Sequence, residues 1–199
     1  MLIEEQLNIL YKILNNISPI SKDVWNEGKI NFNTKKLKQG SHLFYIDDDV
    51  KDFYFLIEGL ARYYYPTPEG KEFNKSFAEK PGHLLSSISS VSHGTKSPFS
   101  VEVLSDFITL YIPYKKLLSL CEENKEWNNL LLRIYENLVI KKERREADFL
   151  LLNATQRYQK FLKEYSMISD VVKNYHIASY LGITEVALSR IRKEMKLSN

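Results

Sequence analysis

At 199 residues the chain has room for one large domain or two small ones, and its 44% hydrophobic and 13% aromatic content supplies a full core, which excludes global disorder. Glu4, Glu5 and Lys12 interrupt the N-terminal apolar run, no stretch approaches the roughly 18 uncharged apolar residues of a membrane span, and Cys121 is the only cysteine, so a secretory leader, a membrane partner and a disulfide framework are not expected and a reducing, cytoplasmic setting is. The net charge of +3 is small, but residues 1–150 hold 20 Lys/Arg against 21 Asp/Glu while residues 151–199 hold 8 against 4, so the basic excess sits in the last quarter, where a nucleic-acid-binding tail needs it.

The first domain is expected over residues 1–122, an N-terminal helix followed by an all-β unit. Six of the seven glycines (Gly28, Gly40, Gly59, Gly70, Gly82, Gly94) punctuate this part, and the last proline is Pro113. Between them run FYFLI (53–57), ARYYY (61–65), FSVEV (99–103) and FITLYI (107–112), short segments rich in β-branched and aromatic residues, with TPEG (67–70) as a turn. Short strands broken by turn residues predict a sandwich or barrel. FSVEV alternates, putting Phe99, Val101 and Val103 on one face, whereas the unbroken FYFLI predicts a strand covered on both faces.

After Pro113 the chain has no proline and one glycine, Gly182, so it can be helical almost throughout. Leu131, Tyr135, Leu138, Lys142, Arg145, Phe149 and Leu152 repeat at 4, 3, 4, 3, 4, 3, a narrow helical seam. A core helix of the same domain gives this pattern, and so does a dimer helix; the dimer reading explains better why so long a helix exists. A homodimer through a long helix over 123–152 is therefore expected, with Leu131, Tyr135, Leu138, Lys142, Arg145 and Phe149 in the interface.

The strongest local signal is NYHIASYLGITEVALSRIRK (174–193). Two short helices crossing steeply need a small residue at the contact, a turn residue with positive φ and apolar residues facing a shared core. Ala178, Gly182 and the set Ile177, Leu181, Ile183, Leu188 and Ile191 meet those needs. Thr184 suits the N-cap of the second helix and Glu185 its first turn. The reading is a helix-turn-helix domain over 153–199 that binds double-stranded DNA. Its DNA-binding residues are expected to be Thr184, Glu185, Ser189, Arg190, Arg192 and Lys193, with Lys173 and Lys196 at phosphates.

Taken together, KKLKQGSHLFYIDDDVKDFYFLIEGLARYYYPTPEGKEFNKSF (35–77), the NATQR segment (153–157) and the helix-turn-helix that follows resemble the Crp/Fnr family of bacterial transcription regulators over about 30–195. The resemblance implies an α+β chain: a double-stranded β-helix (jelly roll) of the cyclic-nucleotide-binding kind, a long dimerisation helix, and a C-terminal helix-turn-helix. It implies RNA polymerase as a further candidate partner. Where the family's cyclic-nucleotide binders carry Gly-Glu, this chain has Gly82, His83 and Leu84; where they carry Arg followed by Ser or Thr, it has Pro98, Phe99 and Ser100. The hydroxyl pair of the long helix falls on Lys142 and Glu143. A pocket lined by these residues lacks the planar fork that best holds a phosphate, so cyclic AMP is not expected to be the effector, and an unidentified small molecule, or none, is. The family's wing after the recognition helix has no counterpart before Asn199, so a wingless reader is expected. On the recognition helix the family's Arg-Glu pair becomes Glu185-Val186, while its later arginine is kept as Arg190.

Enzymatic chemistry finds little support. His42, His83, His93 and His176 are scattered, no His-x-His pair exists for a metal, and no cofactor is expected. Glu122 and Glu123 beside Cys121 predict an unreactive thiol. A second reading stays open beside the transcription regulator, that of a small-molecule-binding or interaction protein with a vestigial helix-turn-helix.

Overall fold

A computed structural model describes residues 1–197, with side chains through Met195. Helices α1 (Ile3–Ile17) and α2 (Lys22–Gly28) lead into strands β1 (Asn33–Leu37), β2 (His42–Phe44), β3 (Asp52–Glu58), β4 (Ala61–Pro66), β5 (Glu72–Ala78) and β6 (Leu84–Leu85). A short helix α3 (Ile88–His93) precedes β7 (Ser100–Val103) and β8 (Phe107–Pro113). Five helices follow: α4 (Tyr114–Glu123), α5 (Lys125–Leu151), α6 (Ala154–Glu164), α7 (Asn174–Leu181) and α8 (Glu185–Leu197).

The strands form two antiparallel four-stranded sheets, ordered β1-β8-β3-β6 and β2-β7-β4-β5, a sandwich of the kind the turn spacing predicts and the jelly roll that the family resemblance implies. All four strand segments picked out above form strands, except that β7 begins at Ser100, one residue after Phe99. The pattern of β3 has a direct cause. Phe53, Phe55 and Ile57 face a helical layer with Leu10, Leu14, Trp127 and Leu131, while Tyr54 and Leu56 face the opposite sheet with Val101 and Val103. Both faces are covered, so no polar residue alternates in. By contrast β1 (NTKKL) lies at a sheet edge and is largely exposed, and β2 is three residues long; neither has a hydrophobic signature.

The helical half divides at polar caps. Asn124 caps α5 by accepting from the Glu126 amide at 2.8 Å. Asn153 and Gln156 exchange hydrogen bonds of 3.0 Å each in a capping box that starts α6. The expectation of nearly continuous helix is corrected at 165–173, where turns replace helix without any proline or glycine. Ser166, Ser169 and Asp170 offer the backbone local alternatives there, Val171 and Val172 are stiff at χ1, and Tyr165, Ile168 and Val172 are buried by the new direction.

That burial joins the C-terminal helices to the roll. Leu60 and Phe77 of the roll share one apolar cluster with Tyr158, Phe161, Tyr165, Ile177, Tyr180, Leu181, Leu188 and Ile191. Phe77 meets Phe161, Tyr165 and Tyr180 at centroid distances of 6.2, 5.6 and 5.5 Å. The boundary expected at 152/153 therefore separates secondary-structure elements but not cores.

Candidate nucleic-acid interface and roll pocket

The helix pair α7–α8 is built as its residue types require. Gly182 ends α7 in the left-handed conformation (φ +68°), and the amides of Gly182 and Ile183 close the turn on Ser179 and Ala178. Thr184 Oγ1 accepts from the Ala187 amide at 3.2 Å and starts α8. Ile177, Ala178, Leu181, Leu188 and Ile191 are buried. Outside on α8 among the described residues lie Glu185, Val186, Ser189, Arg190, Lys193 and Glu194, all exposed. Arg190 is 76% exposed and pairs with Glu194 one turn on, at 3.7 Å.

Two expected DNA contacts need restating. Arg192 points inward: its Nε donates to the Tyr158 hydroxyl at 2.8 Å and its Nη1 to Asn174 Oδ1 at 2.7 Å, so it clamps α8 to α6 and α7. A guanidinium held by two short bonds to its own chain is not free to read bases, and Arg192 is removed from the outer face. Lys196 has a side chain outside the described residues. Lys173 precedes α7 and is exposed, its ammonium 5.8 Å from the Tyr175 ring.

The seam of α5 is likewise corrected, because its residues are used within the chain. Leu131 is 7% exposed and lies in the core with α1 and β3; Leu138 packs against the same core; the Tyr135 hydroxyl meets that of Tyr114 at 2.9 Å. Farther along, Arg145 donates to the Tyr180 carbonyl at 2.8 Å and stacks on its ring at 3.8 Å. Phe149 lies over Gly182, flanked by the guanidinium groups of Arg145 and Arg157. The narrow seam thus holds the roll core at one end and the helix-turn-helix at the other. Lys142 alone in the set is an exposed polar residue with no such role. Elsewhere on α5 several large apolar side chains are exposed, Leu132, Val139, Ile140, Leu150 and Leu151, with Glu143 and Glu146 exposed among them. Leu132, Val139 and Leu150 are 7 and 11 residues apart, spacings that return to nearly the same side of a helix of about 3.6 residues per turn.

Helix α7 is also fastened to β5. Asn74 donates through Nδ2 to the His176 carbonyl at 2.9 Å, and the Ser179 hydroxyl bridges the Asn74 amide and the Glu72 carbonyl, 2.9 Å from each. Behind them Arg62, 4% exposed, bonds Glu102 (2.6 Å), Asn74 Oδ1 (2.9 Å) and Glu72 (2.5 Å). Burial, with the charges of Arg62 and Lys173, pushes the His176 imidazole down to about 4, so it is neutral near pH 7. Neither Arg62 nor Asn74 was legible as functional; each is an ordinary polar residue in a strand until the fold brings α7 against it.

The pocket expected in the roll is filled by protein. Gly82 (φ +84°) sits against Ile13 of α1. His83 is half-buried, its Nδ1 accepts from the Glu79 amide at 3.2 Å, and burial with Lys141 and Lys80 lowers its pKa to about 4. The Leu84 carbonyl accepts from the Tyr63 hydroxyl at 2.8 Å, and Ser100 Oγ from the Ile46 amide at 2.9 Å. Phe99 is buried and Pro98 exposed. The residue missed is Lys75, whose ammonium lies 3.7 Å from the Phe99 ring centroid and 5.9 Å from those of Tyr63 and Tyr65. A lysine between Asn74 and Ser76 in a strand gives no sign of this; Tyr63 pairs with Ser76 and Tyr64 with Asn74, so Lys75 is the extra residue of a β-bulge. Cys121 is raised to about 11 by burial and by Glu122, in line with an unreactive thiol. Among the described residues no group of three or more His, Cys, Asp or Glu could hold a metal, and no helix is long and apolar enough to cross a membrane.

Residues 34–124 match the family described as the cyclic nucleotide-binding domain. Among solved structures the chain is similar to the c-di-GMP responsive global regulator CLP of Xanthomonas campestris, at 13% identity over 89% of this chain and 93% of that one, TM-score 0.70. It is similar to FixK2 of Bradyrhizobium japonicum, at 16% identity over 84% and 85%, TM-score 0.70, and to the catabolite activator protein of Thermus thermophilus, at 16% over 90% and 85%, TM-score 0.57. Likeness at these identities concerns the fold. No curated protein sequence matches the chain.

Proposed function

From a chain whose residues 34–124 belong to the cyclic nucleotide-binding domain family, and whose length carries the fold of Crp/Fnr regulators, we propose a transcription regulator that binds double-stranded DNA as a homodimer and is not an enzyme. One observation carries the reading. The inner residues of α8 are seated on α7, while Ser189, Arg190 and Lys193 share a solvent face with Glu185 at its N-terminal end, the arrangement with which a recognition helix enters a major groove. The Arg190–Glu194 pair is no obstacle, because an exposed i,i+4 pair is worth about 0.3–0.5 kcal/mol against about 1–3 for a bidentate arginine–guanine contact.

Two readers about 34 Å apart are needed for a two-half-site operator, and the exposed α5 face with Leu132, Val139 and Leu150 is the surface we assign to the second copy. Lys173 and Lys193 are assigned to phosphates, which add affinity without reading sequence. The roll lacks an arginine and a carboxylate where a cyclic nucleotide would need them, so cyclic AMP and cyclic GMP are not the effectors. The test is an electrophoretic shift with DNA from upstream of the chain's own gene, scored against random DNA at fixed salt. Equal affinity for both would end the regulator reading; titration heats showing micromolar cyclic AMP binding would end the statement about effectors.

A further inference from the structure

Helix α2, the 3₁₀ turn Lys29–Asn31, helix α4 and the start of α5 form a groove of about 310 Å³, to which no residue of either sheet contributes. Its walls are held by bonds within the chain. The Ser21 amide donates to Glu126 Oε2 at 2.6 Å and ties the start of α2 to α5, and Asn31 Nδ2 donates to the Gly28 carbonyl at 3.0 Å. The floor carries a donor with nothing to donate to. Trp127 is 2% exposed, and its indole Nε1 has no hydrogen-bond partner among the described residues. The fully enclosed side-chain atoms without a partner are Glu79 Oε2 and Ser87 Oγ, so the indole N–H is not sealed in the core but keeps an opening. The edge that bears Nε1 lies against Gly28, and the two residues line the groove together. Glycine serves there for room and not for backbone freedom: its φ is −80°, and a Cβ would stand 2.4 Å from the ring. An indole N–H can only donate, and a buried one ordinarily finds an acceptor.

The rim sets the charge of what fits. Glu27, Glu123 and Lys116 line the groove as exposed residues, and among the described residues none of them makes an ion pair or a hydrogen bond. Two carboxylates against one ammonium favour a cation. Val24, Ile30 and Leu120 supply an apolar wall, Ile30 being 80% exposed, and the volume is at the lower end of small-ligand sites. We propose that the groove binds a small organic amine whose far end carries a carbonyl: the carbonyl accepts from the Trp127 indole, the aliphatic chain lies along Val24, Ile30 and Leu120, and the ammonium sits with Glu27 and Glu123. None of these residues belongs to the reader or to the exposed apolar residues of α5, so the site goes beyond the DNA-binding reading and does not rest on it.

N-acetylputrescine is the probe, on the full chain at low ionic strength, where exposed charges are least screened. N-pentylacetamide puts a methyl in place of the ammonium, and 5-acetamidopentanoate puts a carboxylate on the same chain. Calorimetric titration is expected to rank them amine, neutral amide, anion, with about threefold between the first two and about tenfold between the first and the last, the scale of exposed ion pairs. Glu27→Gln with Glu123→Gln, at two exposed positions, should remove the advantage of the amine over N-pentylacetamide, and Lys116→Met should tighten the amine by about twofold. The indole is read on the unaltered chain. In a nitrogen–proton spectrum the Trp127 N–H, assigned by its proximity to Gly28, should shift with the amine and exchange with solvent about fivefold more slowly, as a newly bonded donor does. Absence of amine binding, equal affinity for the amine and N-pentylacetamide, preference for the anion, or an unmoved Trp127 N–H each overturns the proposal. The DNA assay is separate: loss of operator binding ends the regulator reading and leaves the groove assignment standing, whereas intact operator binding with an unmoved Trp127 N–H does the reverse.

Discussion

In the proposed regulator, individual side chains divide between reading DNA and holding the helix that would read it. Arg190 and Arg192 are two residues apart and share a side-chain chemistry, yet one is solvent-facing and the other bonds Tyr158 and Asn174. Arg190→Ala should relax preference at one base pair per half-site, measured against a panel of single-base operator variants; unchanged preference would return the reading role to Glu185 and Ser189. Lys193→Ala should lower affinity for every sequence alike and reduce the salt slope by about one unit per reader. Arg192→Ala predicts a different outcome, a lower unfolding midpoint with base preference retained wherever the chain still folds. The strongest residue-level effect on stability belongs to Arg62. Removing its guanidinium leaves Glu102 and the Asn74 carbonyl oxygen without their buried partner, and Arg62→Met should destabilise the chain by about 2–4 kcal/mol in urea unfolding, less than a fully buried triad because Glu72 reaches solvent.

At the scale of elements, α5 has two sides. The seam through Leu131, Tyr135, Arg145 and Phe149 packs on its own chain, and Leu132, Val139 and Leu150 are exposed, where the proposed function puts a second copy. The distinction is testable by a pair of double variants. Leu132→Asp with Val139→Asp should give a folded monomer by sedimentation, with normal circular dichroism and no operator binding. Leu131→Asp with Leu138→Asp should instead unfold the chain, since a charge would replace a side chain in the core shared with Leu10 and Trp127. A folded monomer from the second pair would place the dimer contact back on the seam. The heptad spacing alone could not choose between faces. A helix that packs along a roll and then along a second domain needs the same narrow stripe as a coiled coil.

For the whole molecule, roll and reader share one apolar cluster around Phe77 and one polar joint around Asn74, so unfolding is expected to be a single transition by heat and by urea. Acid should loosen it. His176 and His83 are both held near 4, below the ordinary histidine value of 6.5, because burial disfavours their charged forms. The unfolded chain therefore binds protons that the native chain refuses. Stability is full above about pH 6.5, falls as pH drops from there toward 4, and stops falling on this account below 4; each histidine contributes a slope of up to about 1.4 kcal/mol per pH unit. Urea midpoints at pH 7, 6 and 5 measure the decline. His176→Asn should make it shallower, and a profile flat from 7 to 5 would contradict the buried, neutral state of both rings.

Periodicity and turn chemistry are local properties, and what depends on them was readable from residues in order. FYFLI is unbroken because it is covered twice; Gly182, Ala178 and Thr184 stand where a helix-turn-helix requires a positive φ, a small contact residue and a cap. An all-β sandwich or barrel, the long helix and the outward direction of Arg190 followed from such patterns, and the family resemblance narrowed the first to a jelly roll. Partners distant in sequence were not readable. Asn74 and His176 are 102 residues apart, Arg62 and Glu102 are 40 apart, and Lys75 meets Phe99 across the roll. No spacing rule links them, because the contact exists only after two sheets have closed and α7 has docked on β5. The same applies to Arg192, whose side chain followed an acceptor on α6, and to the choice of face on α5. A helix's pattern fixes that one stripe is buried; only the packed molecule decides whether the neighbour is the chain itself or another copy.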